Sequence, residues 1–265
     1  MGEKRYYPSF QQALLLVLML LGGIVVLGII LSAANIPDNT LMYVPLKRTA
    51  YIVISCLIIR YALQKSDTSL KLIFSSPGNL KYFIPSTIIL AVGAAMLHFS
   101  LTCVLYYYLY NITSISIEDL ALLILVDFLF VSTVTPILEE VIFRGIILKG
   151  FLNNYNVPAL ILVSSALFGA MHIYPNIVLS GTLLSMLISY IFVQTKSLWM
   201  CIIFHSIINL MVPESYVTSF LLSNLGFNFK SYVVLGALIA ISGLNLLNRN
   251  SLRMHNEEAS KIDET

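Results

Sequence analysis

Long apolar runs separated by short polar stretches set the pattern of this chain. The first run, Ala13 to Ala34, holds about 20 residues, enough to cross ~30 Å of hydrocarbon at 1.5 Å per residue. Ser32-Ala33-Ala34 at its end resembles a signal-peptidase site. A signal core, however, is only ~7–15 residues long, so an uncleaved first helix is expected. Further runs follow at 49–64, 82–109, 118–152, 157–173, 176–194, 197–212 and 230–247, with Lys47-Arg48 and Tyr174-Pro175-Asn176 crowding the ends of the second and sixth. The pattern predicts an all-α, polytopic membrane protein with about eight transmembrane helices. The run 118–152 is too long for one span, and Pro136 is the expected break, because it lacks an amide proton and suits the first turn of a new helix. Thr133 and Thr135 would cap that helix and put Glu139 and Glu140 near its N-terminus, where free amides favour an anion.

Composition agrees. Of 265 residues, 58% are hydrophobic and 11% charged, far below the ~25% charge of a soluble domain. A net charge of +2 with no basic cluster leaves no case for nucleic acid. Cys56, Cys103 and Cys201 lie scattered in apolar segments and read as small buried hydrophobes.

Charge along the eight-span layout supplies an orientation. The N-terminus, even-numbered loops and C-terminus carry Lys4, Arg5, Arg60, Lys65, Lys71, Lys81, Arg144, Lys149, Lys196, Arg249, Arg253 and Lys261, whereas the odd loops carry Lys47, Arg48 and Lys230. Twelve cations against three is a positive-inside bias that places both termini in the cytoplasm. Tyr106, Tyr107, Tyr108 and Tyr110 then form an outer aromatic belt, Trp199 an inner one, and the Asn111-Ile112-Thr113 sequon falls outside. The segment 248–265 mixes both signs of charge without an apolar face and reads as a flexible cytosolic tail.

Against this background, Pro136-Ile-Leu-Glu139-Glu140-Val-Ile-Phe143-Arg144-Gly145 stands out. A charge placed in hydrocarbon costs at least ~2.5 kcal/mol, so such groups mark functional sites. Glu140 and Arg144 are four apart and can pair on one helix face. Glu139 points ~100° away, with no cation at that spacing, which leaves it for chemistry. The competing reading is that all three cap a cytoplasmic helix end. Two further polar sites interrupt apolar runs: Ser164-Ser165-Ala166-Leu167-Phe168-Gly169-Ala170-Met171-His172, and His205-Ser206-Ile207-Ile208-Asn209. A hairpin turning between Asn153 and Val157 sets Glu139 and His172 at one depth. Ser164, Ser165, Gly169 and Ala170 would let backbones approach closely. His205 and Asn209 share a helix face. Asp127 reads as a packing or water-binding carboxylate and His98 as an interhelical hydrogen bonder.

Together, Glu139-Glu140-x-x-x-Arg144, Phe168-x-x-x-His172 and His205-x-x-x-Asn209 resemble the three motifs of the CPBP (Abi) family, which includes type II CAAX prenyl endopeptidases and bacteriocin-processing and immunity proteins. The resemblance implies an all-helical intramembrane endopeptidase with Glu139, His172, His205 and Asn209 as the catalytic set and Glu140, Arg144 and Phe168 as its support. Glu139, helped by His172, would activate water, and His205 and Asn209 would stabilise the oxyanion. No cofactor is favoured. Zinc on Glu139, His172 and His205 stays open, because family members have also been labelled metallopeptidases; the chain lacks His-Glu-x-x-His, so this set would hold zinc only if its geometry converged.

The chain divides into N-terminal transmembrane helices (1–117), the CPBP/Abi core (118–212), and a last transmembrane helix with its cytoplasmic tail (213–265). The expected partners are the lipid bilayer and a peptide or protein substrate in or at the membrane. That substrate is either a prenylated C-terminus or, as short loops in a bacterial member suggest, a pheromone, bacteriocin leader or membrane-protein segment. Two other classes stay open: a non-catalytic scaffold or immunity protein of the same fold, and a transporter, which the lack of an internal repeat disfavours.

Overall fold

A computed structural model describes residues 7–36, 43–66, 68–76, 80–109, 129–152, 155–172, 175–211 and 229–263. Among these residues every regular element is helical. Lys4, Arg5, Tyr110, the Asn111 sequon, Asp127 and the Asn153 end of the expected hairpin turn lie outside them.

The chain forms two compact units, one of Met1–Ile73 with Ser114–Ser185, the other of Phe74–Thr113 with Met186–Thr265. In chain order the helices are α1 (Phe10–Ala33), α2 (Tyr43–Lys65), a short α3 (Leu70–Phe74), a 3-10 turn (Leu80–Tyr82) and α4 (Phe83–Leu109). A composite helix α5 follows over 130–151, then α6 (Val157–Ala170), α7 (Pro175–Thr195), α8 (Leu198–Met211) and α9 (Phe229–Asp263). The division between the units falls within α3 and α7.

In the first unit, α1 opens with a reciprocal cap. The Gln12 amide donates to Ser9 Oγ at 3.4 Å, and the Ser9 amide donates to Gln12 Oε1 at 2.8 Å. Ala13, Leu16, Val17 and Leu20 form a narrow buried stripe, while Leu18, Val25, Val26, Ile29 and Ile30 remain exposed. That division suits a helix with one face on protein and the rest on lipid. α6 starts from Asn156, whose Oδ1 accepts the Ala159 amide at 3.0 Å, with Pro158 in its first turn.

The expected break at Pro136 does not occur. α5 runs through it as π-helical Phe130–Val134, α-helical Thr135–Glu140, π-helical Val141–Leu148 and α-helical Lys149–Phe151. Val134 stays helical at φ −70° and ψ −45°. Widened turns accommodate the proline: the Thr135 amide reaches five residues back to the Phe130 carbonyl, so the ladder is already offset where Pro136 has no amide to give. The threonines do not cap. Thr133 Oγ1 bonds the Leu129 carbonyl one turn back, and Thr135 Oγ1 caps no amide. Glu139 and Glu140 therefore stand inside a helix, not at its N-terminus.

In the second unit, α4 and α9 pack backbone to backbone. A Cβ on Gly93 would collide with the Ala240 backbone, and one on Gly243 with the backbone of Leu90. The expected flexible tail is instead the end of α9, which continues to Asp263. No glycine or proline interrupts 248–263, Arg253 pairs with Glu257 at 2.9 Å, and Asn250 Nδ2 donates to the Tyr82 carbonyl at 2.6 Å. Ser251 Oγ also donates to Gln194 Oε1 at 2.8 Å.

Among the described residues, four helical stretches are long and apolar enough to cross a membrane: Phe10–Ala33, Leu80–Thr102, Ile177–Thr195 and Lys230–Glu257. α6 and α8 are apolar but only 14 residues each, ~21 Å at 1.5 Å per residue. The chain is thus an all-α membrane protein. Two readings of single side chains change: Cys56 is exposed on α2, not buried, and Ala170 is exposed and takes no part in close helix approach.

Candidate active site

Glu139 and Glu140 leave α5 at adjacent positions and meet different partners. Arg144 Nη1 donates to Glu140 Oε1 at 3.0 Å, and both side chains are wholly buried. Arg144 Nη2 donates to the Ser185 carbonyl at 2.9 Å and to Ser185 Oγ at 2.6 Å. The guanidinium carbon lies 5.1 Å from the centre of the Phe168 ring, a cation–π contact strengthened by desolvation. One cation is thus held by a carboxylate, a serine and an aromatic face. Without them its charge would be uncompensated in the protein interior.

Phe168 continues the chain of contacts. Its ring meets Phe143 edge-on at 5.0 Å and the His172 ring at 5.3 Å. His172 follows the last turn of α6, and its Nδ1 lies 3.2 Å from the Phe168 carbonyl. A carbonyl can only accept, so this hydrogen bond puts the proton on Nδ1 and leaves the Nε2 lone pair of a neutral ring available. Gly169 sets the α6–α7 approach, since a Cβ there would run into Thr182 Oγ1 and come within 2.7 Å of the Val178 carbonyl. Ser164 and Ser165 are fully buried on the same helix.

Glu139 is only 6% exposed and accepts a hydrogen bond from the Tyr51 hydroxyl of α2 at 2.8 Å. Neither Tyr51 nor Ser185 is marked by the sequence. Tyr51 is one of 15 tyrosines and stands 88 residues from Glu139, while Ser185 is one of several serines along α7.

Of the residues predicted from sequence, the first unit gathers Glu140, Arg144, Phe168 and His172 into one connected set, with Glu139 beside Glu140 on α5. His205 and Asn209 belong to the second unit, one turn apart on α8, with His205 buried. Among the described residues no group of three or more His, Cys, Asp or Glu side chains is placed to hold a metal ion.

Comparison with known proteins bears on this region. Residues 121–211 match the family described as "Type II CAAX prenyl endopeptidase Rce1-like". A Bacillus subtilis (strain 168) protein described as "Putative membrane peptidase YdiL" is 33% identical over 96 residues, 36% of this chain and 38% of that protein. The chain thus spans little more than a third of that relative's length. No solved structure matches. The likeness to this family thus rests on residues 121–211, the stretch that holds Glu139, Glu140, Arg144, Phe168, His172, His205 and Asn209.

Proposed function

We propose that the protein is an intramembrane endopeptidase that hydrolyses a peptide bond of a membrane-associated substrate with water activated by Glu139. The observation that carries this reading is the unequal treatment of two adjacent buried acids inside the Rce1-like domain. Glu140 is ion-paired with Arg144, which Ser185 holds in turn, and Glu139 accepts from the Tyr51 hydroxyl. A carboxylate within reach of a water can draw a proton from it as the water attacks.

His172, with Nδ1 engaged by a carbonyl, supports that step through Nε2. It can orient the attacking water or return a proton to the departing amine. The motif resemblance assigns His205 and Asn209 to the developing oxyanion, for which two hydrogen-bond donors are the expected chemistry. As balanced chemistry, water adds its oxygen to the scissile carbonyl carbon, and its proton passes through Glu139 to the amine as the C–N bond breaks. The substrate is a peptide or protein segment at the bilayer, and a multi-pass topology with both termini cytoplasmic goes with this reading.

The test is purified full-length protein in phospholipid vesicles with a quenched fluorescent library of amphipathic peptides, some farnesylated at a C-terminal cysteine motif. Cleavage by wild type and none by Glu139→Gln is expected. Equal cleavage by both proteins, or none by either, would overturn the assignment.

A further inference from the structure

The geometry points to Tyr51 as a positioning residue of the site: its hydroxyl, on α2, holds one oxygen of the Glu139 carboxylate on α5. This inference rests on the reading of Glu139 as the base. The contact is 2.8 Å long, within the ordinary range for a hydroxyl donor, and joins residues 88 positions apart. Glu139 is nearly buried, so few solvent donors reach it. A phenol suits this place. Its rigid ring ends in a single hydroxyl that delivers one donor.

The surroundings make the contact part of a built seam. Ser55 lies one turn beyond Tyr51 on α2 and is wholly buried; Thr135 lies one turn before Glu139 on α5. Residues four apart share a helix face, so each helix presents two oxygen-bearing side chains on one face. A second contact between the same helices lies nearby, with the Arg48 guanidinium 5.5 Å from the centre of the Phe130 ring. α2 is thereby held against α5 at two points, Arg48 on Phe130 and Tyr51 on Glu139.

The physical consequence is orientational. A carboxylate on a two-carbon stem samples several rotamers, and proton abstraction needs one oxygen aimed at the water. Anchoring Oε1 through Tyr51 fixes the plane of the carboxylate and so the direction of Oε2. Loss of the anchor leaves substrate binding intact and lowers the fraction of bound states that react. The deficit therefore falls on kcat and not on KM.

Tyr51→Phe keeps the ring and removes only the donor. In full-length protein in vesicles, acting on a peptide that wild type cleaves in the library assay, kcat should fall roughly tenfold to a hundredfold with KM unchanged. A second readout does not need catalysis. Dicyclohexylcarbodiimide, an apolar reagent for buried carboxyl groups, should label Glu139 several-fold faster in Tyr51→Phe than in wild type, because the carboxylate has lost the hydroxyl donor at Oε1. Glu140, held by Arg144, should stay poorly labelled in both. Unchanged Glu139 labelling, or unchanged kcat, overturns the inference. If wild type cleaves no peptide, the endopeptidase reading falls, and the labelling arm alone decides whether Tyr51 holds the carboxylate.

Discussion

Arg144 Nη2 stands 2.6 Å from Ser185 Oγ and 2.9 Å from the Ser185 carbonyl oxygen, a double contact between residues 41 positions apart. It couples the fate of Glu140 to α7, because the same guanidinium bonds Glu140 through its other terminal nitrogen. The planar fork of arginine is what allows both, and the point charge of lysine could not span them. Ser185→Ala removes one donor–acceptor pair and leaves the carbonyl, so a loss of about 1.5–3 kcal/mol is expected. Glu140→Gln strands a buried cation and should cost about 3–5 kcal/mol. Thermal unfolding in detergent should rank the two variants in that order. The reverse order would refute the ion pair as the support of this turn.

The adjacent acids should separate cleanly in function. Glu139→Gln is expected to abolish peptide cleavage while the protein accumulates in membranes at wild-type level, since the amide keeps shape and a hydrogen-bonding oxygen. Glu140→Gln should lower accumulation along with activity. Immunoblots of membrane fractions, read beside cleavage rates, decide this; equal losses of protein from both changes would sink the division of labour.

Gly169 offers a packing test. Alanine there would press its Cβ into Thr182 Oγ1 and the Val178 carbonyl, so a loss of about 1–3 kcal/mol is expected. Removing the threonine hydroxyl as well should restore little, because the Val178 backbone remains 2.7 Å away. Gly22→Ala and Gly28→Ala, at positions with nothing within 4 Å, should be neutral or stabilise by about 0.4–1 kcal/mol. Unfolding midpoints of the four variants provide the comparison.

Orientation in the bilayer is open to direct labelling. Single cysteines at positions 4 and 261 should stay inaccessible to an impermeant thiol reagent in intact cells, and one at position 111 should react, with the native cysteines replaced. External labelling at both ends would reverse the topology drawn from the twelve-to-three cation split.

Metal dependence is the remaining mechanistic test. With water activated by Glu139 alone, cleavage should survive strong chelators, and Asn209→Ala should lower turnover roughly 10²–10³-fold, the effect of losing one oxyanion donor. One zinc per chain, removed by chelator and restoring activity when added back, would replace this mechanism while leaving a peptidase in place.

Much of the architecture was legible in the chain because its causes are local. Apolar runs of bilayer length, almost free of charge, admit helices and little else, since backbone groups in hydrocarbon need partners within their own segment. The Glu140–Arg144 pair was equally legible, because an i,i+4 spacing brings two side chains together whatever the rest of the fold does. The motif set led to the CPBP class, and the family match over 121–211 bears that class out.

Other features depended on what the chain meets elsewhere. Pro136 reads as a break because proline interrupts an ordinary α-helical ladder, yet two π-helical segments carry α5 past it. The segment 248–263 reads as a free tail because its charges lack an apolar face, but Tyr82 and Gln194 supply polar partners that keep it helical. The sequence by itself determined that this is a helical membrane protein with two adjacent acids and an arginine close together in an apolar run. Only the tertiary structure decided that Ser185 and Phe168 share the arginine and that Tyr51 meets Glu139. Those contacts join residues too far apart for any helical periodicity to register, and their strength lies in burial that packing alone creates.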